Sequence, residues 1–278
     1  PETPGAGVLC VLVVTAAAHR FIAWRFVAAL IAAVAVQVAV NYANDYFDAV
    51  KGVESGERIG PRRVTATGLV SPTKMRLAVG VALGVASIPG LALAVAIGPQ
   101  VIIVGLCSFA AALGYSGGPK PFASLGLGEA FVFVFFGLVG TIGSAYVQTH
   151  RLLGLAAGAA VPVGFMAAAL LLVNNIRDIT SDAAAGKRTL AVRIGAPAAR
   201  GLYLGTVAGA FVITIALAAG YRDWWTLIAL APAPLALAPI ILVLTRTDGP
   251  NLIRALVGPA RVQLLYGTLL AIGFWLAW

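Results

Sequence analysis

The chain has 278 residues, 60% of them hydrophobic and only 10% charged, with a formal net charge of +9 and a mean hydropathy of +0.97. About a quarter of the residues of an ordinary soluble domain are charged, so this composition excludes a water-soluble globular fold and leaves an integral membrane protein. The positive balance does not indicate a nucleic-acid partner, because basic loops beside the cytoplasmic leaflet account for it in a chain that crosses the bilayer repeatedly.

A spanning helix takes roughly 20 mostly apolar residues. Nine such segments follow one another, at approximately 4–18, 24–47, 73–97, 99–115, 126–148, 152–178, 200–220, 224–245 and 259–278. The first is the shortest, and no basic-then-apolar leader precedes it, so no cleavable signal is expected. Cys10 and Cys107 lie far apart in apolar runs and point to neither metal nor redox chemistry. The second segment ends in "NYANDYFDAVKG". There Asn41, Asp45 and Asp48 stand at i, i+4 and i+7, within about 60° of one another on a helix. Between the fourth and fifth segments comes "GYSGGPKPFASLGLGE", which holds Tyr115, Lys120 and Glu129. The sixth ends in "NNIRDITSDAAAGKRTLAVRIG", where Asn174, Asp178 and Asp182 at i, i+4 and i+8 again make one stripe, about 80° wide. Prolines 232, 234 and 239 in the eighth segment are tolerated where neighbouring membrane helices re-satisfy the backbone.

With nine spans, the loops after the second, fourth, sixth and eighth segments share one side. That side and its helix ends hold 15 of the 19 Lys and Arg residues; only Arg20, Arg25, Arg151 and Arg222 lie opposite. The asymmetry predicts that this face is cytoplasmic, with the N-terminus inside and the C-terminus outside. All five Trp residues fall on the other face, where amphipathic rings suit the headgroup level.

Ionisable groups at membrane depth are costly and mark functional sites. Each aspartate cluster is followed, four residues after its last Asp, by a glycine (Gly52, Gly186) in a basic setting. This is a weak internal repeat inside a single polytopic domain spanning 1–278. Two facing anionic stripes need positive charge between them. Oxygen donors without Cys or His suit Mg²⁺, which prefers few carboxylates plus water and phosphate oxygens. The nearby Arg and Lys suit a phosphate bridged by that ion, so the residues describe a site for Mg²⁺ and a phosphorylated, membrane-resident substrate. For Lys120 an ordinary cytoplasmic-side lysine is the alternative, and for Glu129 structural pairing and substrate contact both stay open. A secondary transporter also uses repeats and intramembrane carboxylates, but near the midplane rather than at one face.

Taken together, "NYANDYFDAVKG" with "RIGPRR", "GYSGGPKP" with "GLGE", and "NNIRDITSDAAAGKRTLAVRIG" resemble the motifs of the UbiA superfamily of intramembrane prenyltransferases, over nearly the whole chain. The compressed N-x-A-N-D-Y-x-D form is most similar to the branch acting on 1,4-dihydroxy-2-naphthoate in menaquinone biosynthesis. The resemblance implies an all-α fold of nine transmembrane helices around a central cavity, capped on the cytoplasmic side by the loops after helices two and six. It implies Mg²⁺-dependent transfer from polyprenyl diphosphate to 1,4-dihydroxy-2-naphthoate, with decarboxylation, in the lipid bilayer of a bacterial plasma membrane. Asp45, Asp48, Asp178 and Asp182 would hold Mg²⁺, and Asn41 with Asn174 or Asn175 would line the walls. Arg58, Arg63, Lys120 and Lys187 would meet the diphosphate, and Tyr115 would offer its π-face near the reacting carbon. Branches that use 4-hydroxybenzoate, homogentisate or haem are the alternatives. Two departures stand out: "PETPGAGV" lacks the usual Arg-Pro pair, and "PFAS" replaces a tyrosine-bearing "PYGY".

Overall fold

The computed structural model describes residues 4–52, 64–65, 67–246 and 249–277. Helices make up nearly all of them, because backbone groups in hydrocarbon must find partners within their own segment. In chain order these are α1 (Pro4–Ala17), α2 (Ala23–Val50), α3 (Pro72–Ile97), α4 (Gln100–Ser116), α5 (Gly128–Val132), α6 (Gly140–Thr149), α7 (Gly154–Arg177), α8 (Ile179–Ala184), α9 (Leu190–Tyr221), α10 (Ala233–Thr245) and α11 (Gly249–Leu276). A π-helical stretch, Phe133–Val139, joins α5 to α6 in one rod, and a 3₁₀ stretch, Trp224–Leu230, leads into α10. Among the described residues, seven rods are long and apolar enough to cross a membrane, and α4 is a shorter apolar helix.

Seven of the nine expected segments coincide with these rods and the fourth with α4, while the first falls on the 14-residue α1; the offsets at the ends are informative. Helix α2 continues to Val50 and so carries Asp48 on its last turn. Helix α9 starts at Leu190, ten residues ahead of its apolar run, because a first turn is set off by a non-helical Gly195 (φ 77°) before Pro197. The second aspartate stripe does not lie on one continuous helix. Helix α7 stops at Arg177, and Asp178 (φ −97°, ψ 8°) separates it from α8. The amide of Asp178 still donates to Asn174 O (3.1 Å) and that of Asp182 to Asp178 O (2.7 Å). With the i, i+4 bonds kept on both sides of the break, the stripe survives it.

Helix α7 is the most enclosed rod. Ala156, Ala159, Ala160, Leu172 and Val173 are fully buried, and α1, α9, α11 and the π-helical stretch all pack on it. Small residues permit the closest approach: a Cβ on Gly137 would lie 2.6 Å from Gly164 Cα, the small-residue contact by which membrane helices come together. The bundle has a distinguishable pair of ends. Arg25 at the start of α2 donates to Val147 O at 3.0 Å, and the Ile22 amide donates to Gln148 Oε1 at 2.8 Å. The exposed Trp24 therefore lies at the same end as the close of α6, and Asp45 and Asp48 lie at the other.

Candidate active site

A cavity of about 1160 Å³ opens among α2, α3, α4, the α5–α6 rod and α7. Its lining runs from Val11 to Thr189, and among the described residues α9, α10 and α11 contribute nothing to it. Ala32 and Asp48 of α2 both lie on its wall, and at 1.5 Å per residue they are about 24 Å apart along the helix. Most of the wall is aliphatic and aromatic, with Phe109, Phe131, Phe135 and Phe136 among its residues, and the end near Asp48 is polar. The π-helical stretch supplies part of this lining, consistent with the frequent use of such irregular turns at functional sites. A volume above the 300–1,000 Å³ of ordinary ligand pockets (an approximate range) can take a long chain together with a second reactant.

At the polar end the two aspartate clusters share one cavity. Asn41, Asp45 and Asp48 line it from α2; Asn174, Asn175, Asp178 and Asp182 line it from α7, the break after it, and α8. Asp45 and Asp48 are only 8% and 5% exposed. Asp45 Oδ1 accepts from the Thr65 amide (3.2 Å), which ties the described end of the α2–α3 loop back onto α2. Lys187, which follows α8, reaches across to Asp48 Oδ1 at 3.0 Å, so the second cluster's loop is ion-paired to the first cluster's helix. The glycines just beyond the clusters, Gly52 (φ 62°) and Gly186 (φ 72°), are both left-handed, the conformation that ends a helix at little cost only for glycine.

The other expected residues divide. Tyr115 and Lys187 are on the cavity wall. Lys120 is exposed in the loop after α4 and is not on the wall. Glu129 does not line the cavity either: it is 6% exposed and sits behind the wall. Its Oε1 accepts from Asn175 Nδ2 at 2.8 Å, and its Oε2 is buried with no partner among the described residues. Glu129, which opens α5, is thus paired to Asn175 of α7 in this structure. Both asparagines of the second cluster line the wall, with Asn174 Nδ2 donating to Leu170 O at 3.2 Å. Arg58 and Arg63 lie outside the described residues.

Sequence reasoning passed over three wall residues. Gln37 lies one turn before Asn41 and extends the polar stripe deeper into the cavity; continuing the i, i+4 spacing backwards would have found it. Asn44 accepts a hydrogen bond from the Ser116 hydroxyl, joining α2 to the end of α4. Arg177 is buried, lines the cavity, and grips its neighbour Asp178 through Nε (2.7 Å) and Nη2 (2.6 Å).

The donors facing the cavity are carboxylate and amide oxygens, and no group of three or more His, Cys, Asp or Glu side chains is found together among the described residues. That set fits Mg²⁺, which is held by one or two carboxylates and completes its shell with water and phosphate oxygens. It does not fit a closed structural metal centre, which supplies all its ligands from protein.

Comparison with known proteins agrees with this geometry. The model of the UbiA prenyltransferase family matches residues 6–258. A 1,4-dihydroxy-2-naphthoate octaprenyltransferase of Mycobacterium tuberculosis is 40% identical over 219 residues, covering 79% of this chain and 74% of that protein. Among solved structures, a UbiA homologue from Aeropyrum pernix K1 superposes with a TM-score of 0.73 at 18% identity, covering 98% of each chain. A UbiA homologue from Archaeoglobus fulgidus, bound to DMAPP and Mg²⁺, does so with a TM-score of 0.60 at 15% identity, covering 96% of each. The structural likenesses speak to fold alone.

Proposed function

Because the chain belongs to the UbiA prenyltransferase family, we propose that it transfers a polyprenyl group from polyprenyl diphosphate to 1,4-dihydroxy-2-naphthoate in a Mg²⁺-dependent reaction. The allylic C–O bond breaks, a C–C bond forms to the ring, the ring carboxylate leaves as CO₂, and diphosphate is released. The observation that carries this reading is the union, in one cavity, of two aspartate-bearing walls at one end with a mostly apolar lining beyond them, the whole running about 24 Å along α2. The naphthoate acceptor is supported by the identity to the mycobacterial enzyme.

Asp45, Asp48, Asp178 and Asp182 would hold the Mg²⁺. When bound, it supplies positive charge that offsets the departing diphosphate. The chain's own groups do the rest. Lys187, already at the mouth, would turn from Asp48 to the diphosphate, and Lys120 of the loop after α4 would join it; Arg58 and Arg63 are further diphosphate contacts on the strength of the motif they share with the family. The aromatic and aliphatic walls keep water from the allylic cation. Tyr115 and the phenylalanines on the wall would offer π-faces to that cation. In this reading the whole chain is one domain of nine transmembrane helices with an internal repeat, and the loops after the second and sixth form a cytoplasmic cap. The Lys and Arg distribution supports an inside N-terminus and an outside C-terminus in a bacterial plasma membrane.

The test is a panel assay on the purified protein, with one labelled polyprenyl diphosphate offered to 1,4-dihydroxy-2-naphthoate, 4-hydroxybenzoate, homogentisate and haem. Prenylation of the naphthoate alone, with one CO₂ released per product, is expected. Transfer to another acceptor, or none to any, would contradict the assignment.

A further inference from the structure

Among the described cations on the cavity wall, Arg177 is the most deeply buried. It is the last residue of α7, 8% exposed, and a guanidinium there stays charged because it does not deprotonate in proteins. Its Nε and Nη2 meet both oxygens of Asp178 at 2.7 and 2.6 Å, the fork-on-carboxylate geometry that is the strongest charged pairing available to it. The opposite wall carries a parallel arrangement, with Lys187 on Asp48. On each wall, then, one of the carboxylates argued above to hold a divalent cation is already neutralised by a cation of the protein.

A carboxylate has lone pairs left after accepting a guanidinium. A divalent ion using them would nevertheless lie close to a buried, permanently positive group, and burial magnifies that repulsion. An anion arriving with the ion removes the conflict. A diphosphate carries oxygens that both the ion and a guanidinium fork can take.

We propose that Arg177 is a resident counter-ion of Asp178 that makes divalent-cation binding conditional on diphosphate, and that it becomes a diphosphate ligand once the ion is in place. The proposal rests on the prenyl-transfer reading of the site. Its consequence is that the empty enzyme takes up the metal poorly and the metal–diphosphate complex well, so the ion arrives with its substrate.

The test uses Mn²⁺ as the probe, in purified full-length protein, with bound ion read by electron paramagnetic resonance and folding monitored by thermal melting. Arg177→Gln is expected to tighten Mn²⁺ binding in the absence of diphosphate by about 10-fold or more, and to weaken binding of Mn²⁺–pyrophosphate by about 10-fold or more, the scale of a lost charge-assisted hydrogen bond. Opposite signs in one variant are the signature. Arg177→Lys retains charge without the fork; it is expected to leave Mn²⁺ alone within about three-fold of wild type and still weaken Mn²⁺–pyrophosphate. This second variant serves if the first does not fold. Affinities that move in the same direction, or do not move, in Arg177→Gln overturn the role of Arg177. So does tighter binding of Mn²⁺ alone by Arg177→Lys. A wild-type protein that fails to take up Mn²⁺–pyrophosphate at all would overturn the prenyl-transfer reading beneath it.

Discussion

Glu129 offers a sharp test of how the second wall is held. Its carboxyl group is buried behind the cavity and accepts the Asn175 amide at 2.8 Å, so Glu129→Ala removes one side-chain hydrogen bond and strands an amide N–H group. Leaving a buried donor unsatisfied costs about 1–3 kcal/mol. If that loss is expressed as misplacement of Asn175, kcat/KM for the prenyl diphosphate falls by about 10- to 100-fold, at roughly 1.4 kcal/mol per decade. Glu129→Gln keeps the length and an accepting oxygen, and is expected to stay within about three-fold of wild type. Glu129→Asp retracts the oxygen by about one methylene, beyond hydrogen-bond reach, and should behave like alanine. Steady-state kinetics of the three variants, each with a thermal melt, decide the matter. Alanine and wild type with equal kcat/KM would refute the positioning argument, and so would a glutamine variant as impaired as alanine.

Other outcomes follow from the same geometry. Asp45→Asn and Asp178→Asn, one from each wall, should each lower turnover by at least about 100-fold with the melting temperature nearly unchanged; full activity in either would remove that residue from the site. Lys187→Ala breaks the 3.0 Å pair with Asp48 and should raise KM for the prenyl diphosphate by about 10-fold; its half-open position predicts little effect on stability, and an unchanged KM would contradict diphosphate contact. Gly137→Ala would set a Cβ 2.6 Å from Gly164 Cα, so the rods must part. The expected cost is about 1–3 kcal/mol, seen as a lower thermal midpoint, and an unchanged midpoint would mean that this contact is looser than described.

The spans were legible because hydrocarbon demands long apolar helices whatever the fold. The two clusters were legible because charge is rare at that depth. Helix periodicity correctly put Asn41, Asp45 and Asp48 on one face of α2. What lay beyond it was the break at Asp178, since a local 3.6-residue pattern continues through a residue whose neighbours keep their i, i+4 bonds. Periodicity was also silent on which side of a rod meets the cavity. The sequence left Glu129 open between structural pairing and substrate contact, because its hydrogen bond to Asn175 depends on how α5 packs against α7. Arg177 looked like an ordinary cytoplasmic-side arginine, because its bidentate grip on Asp178 depends on a backbone turn that sequence spacing does not encode. That α9 to α11 add nothing to the described cavity wall is likewise a fact of tertiary packing.

The central claim is that both aspartate walls serve one shared site for metal and diphosphate. Its most direct test is a structure of the protein soaked with Mn²⁺ and an unreactive prenyl thiolodiphosphate, with the metal located by anomalous scattering. The account predicts manganese between the Asp45–Asp48 and Asp178–Asp182 walls, sharing oxygens with the diphosphate, and a prenyl tail running along α2 toward Ala32. Manganese and diphosphate at separate places, or a tail outside the cavity, would contradict it.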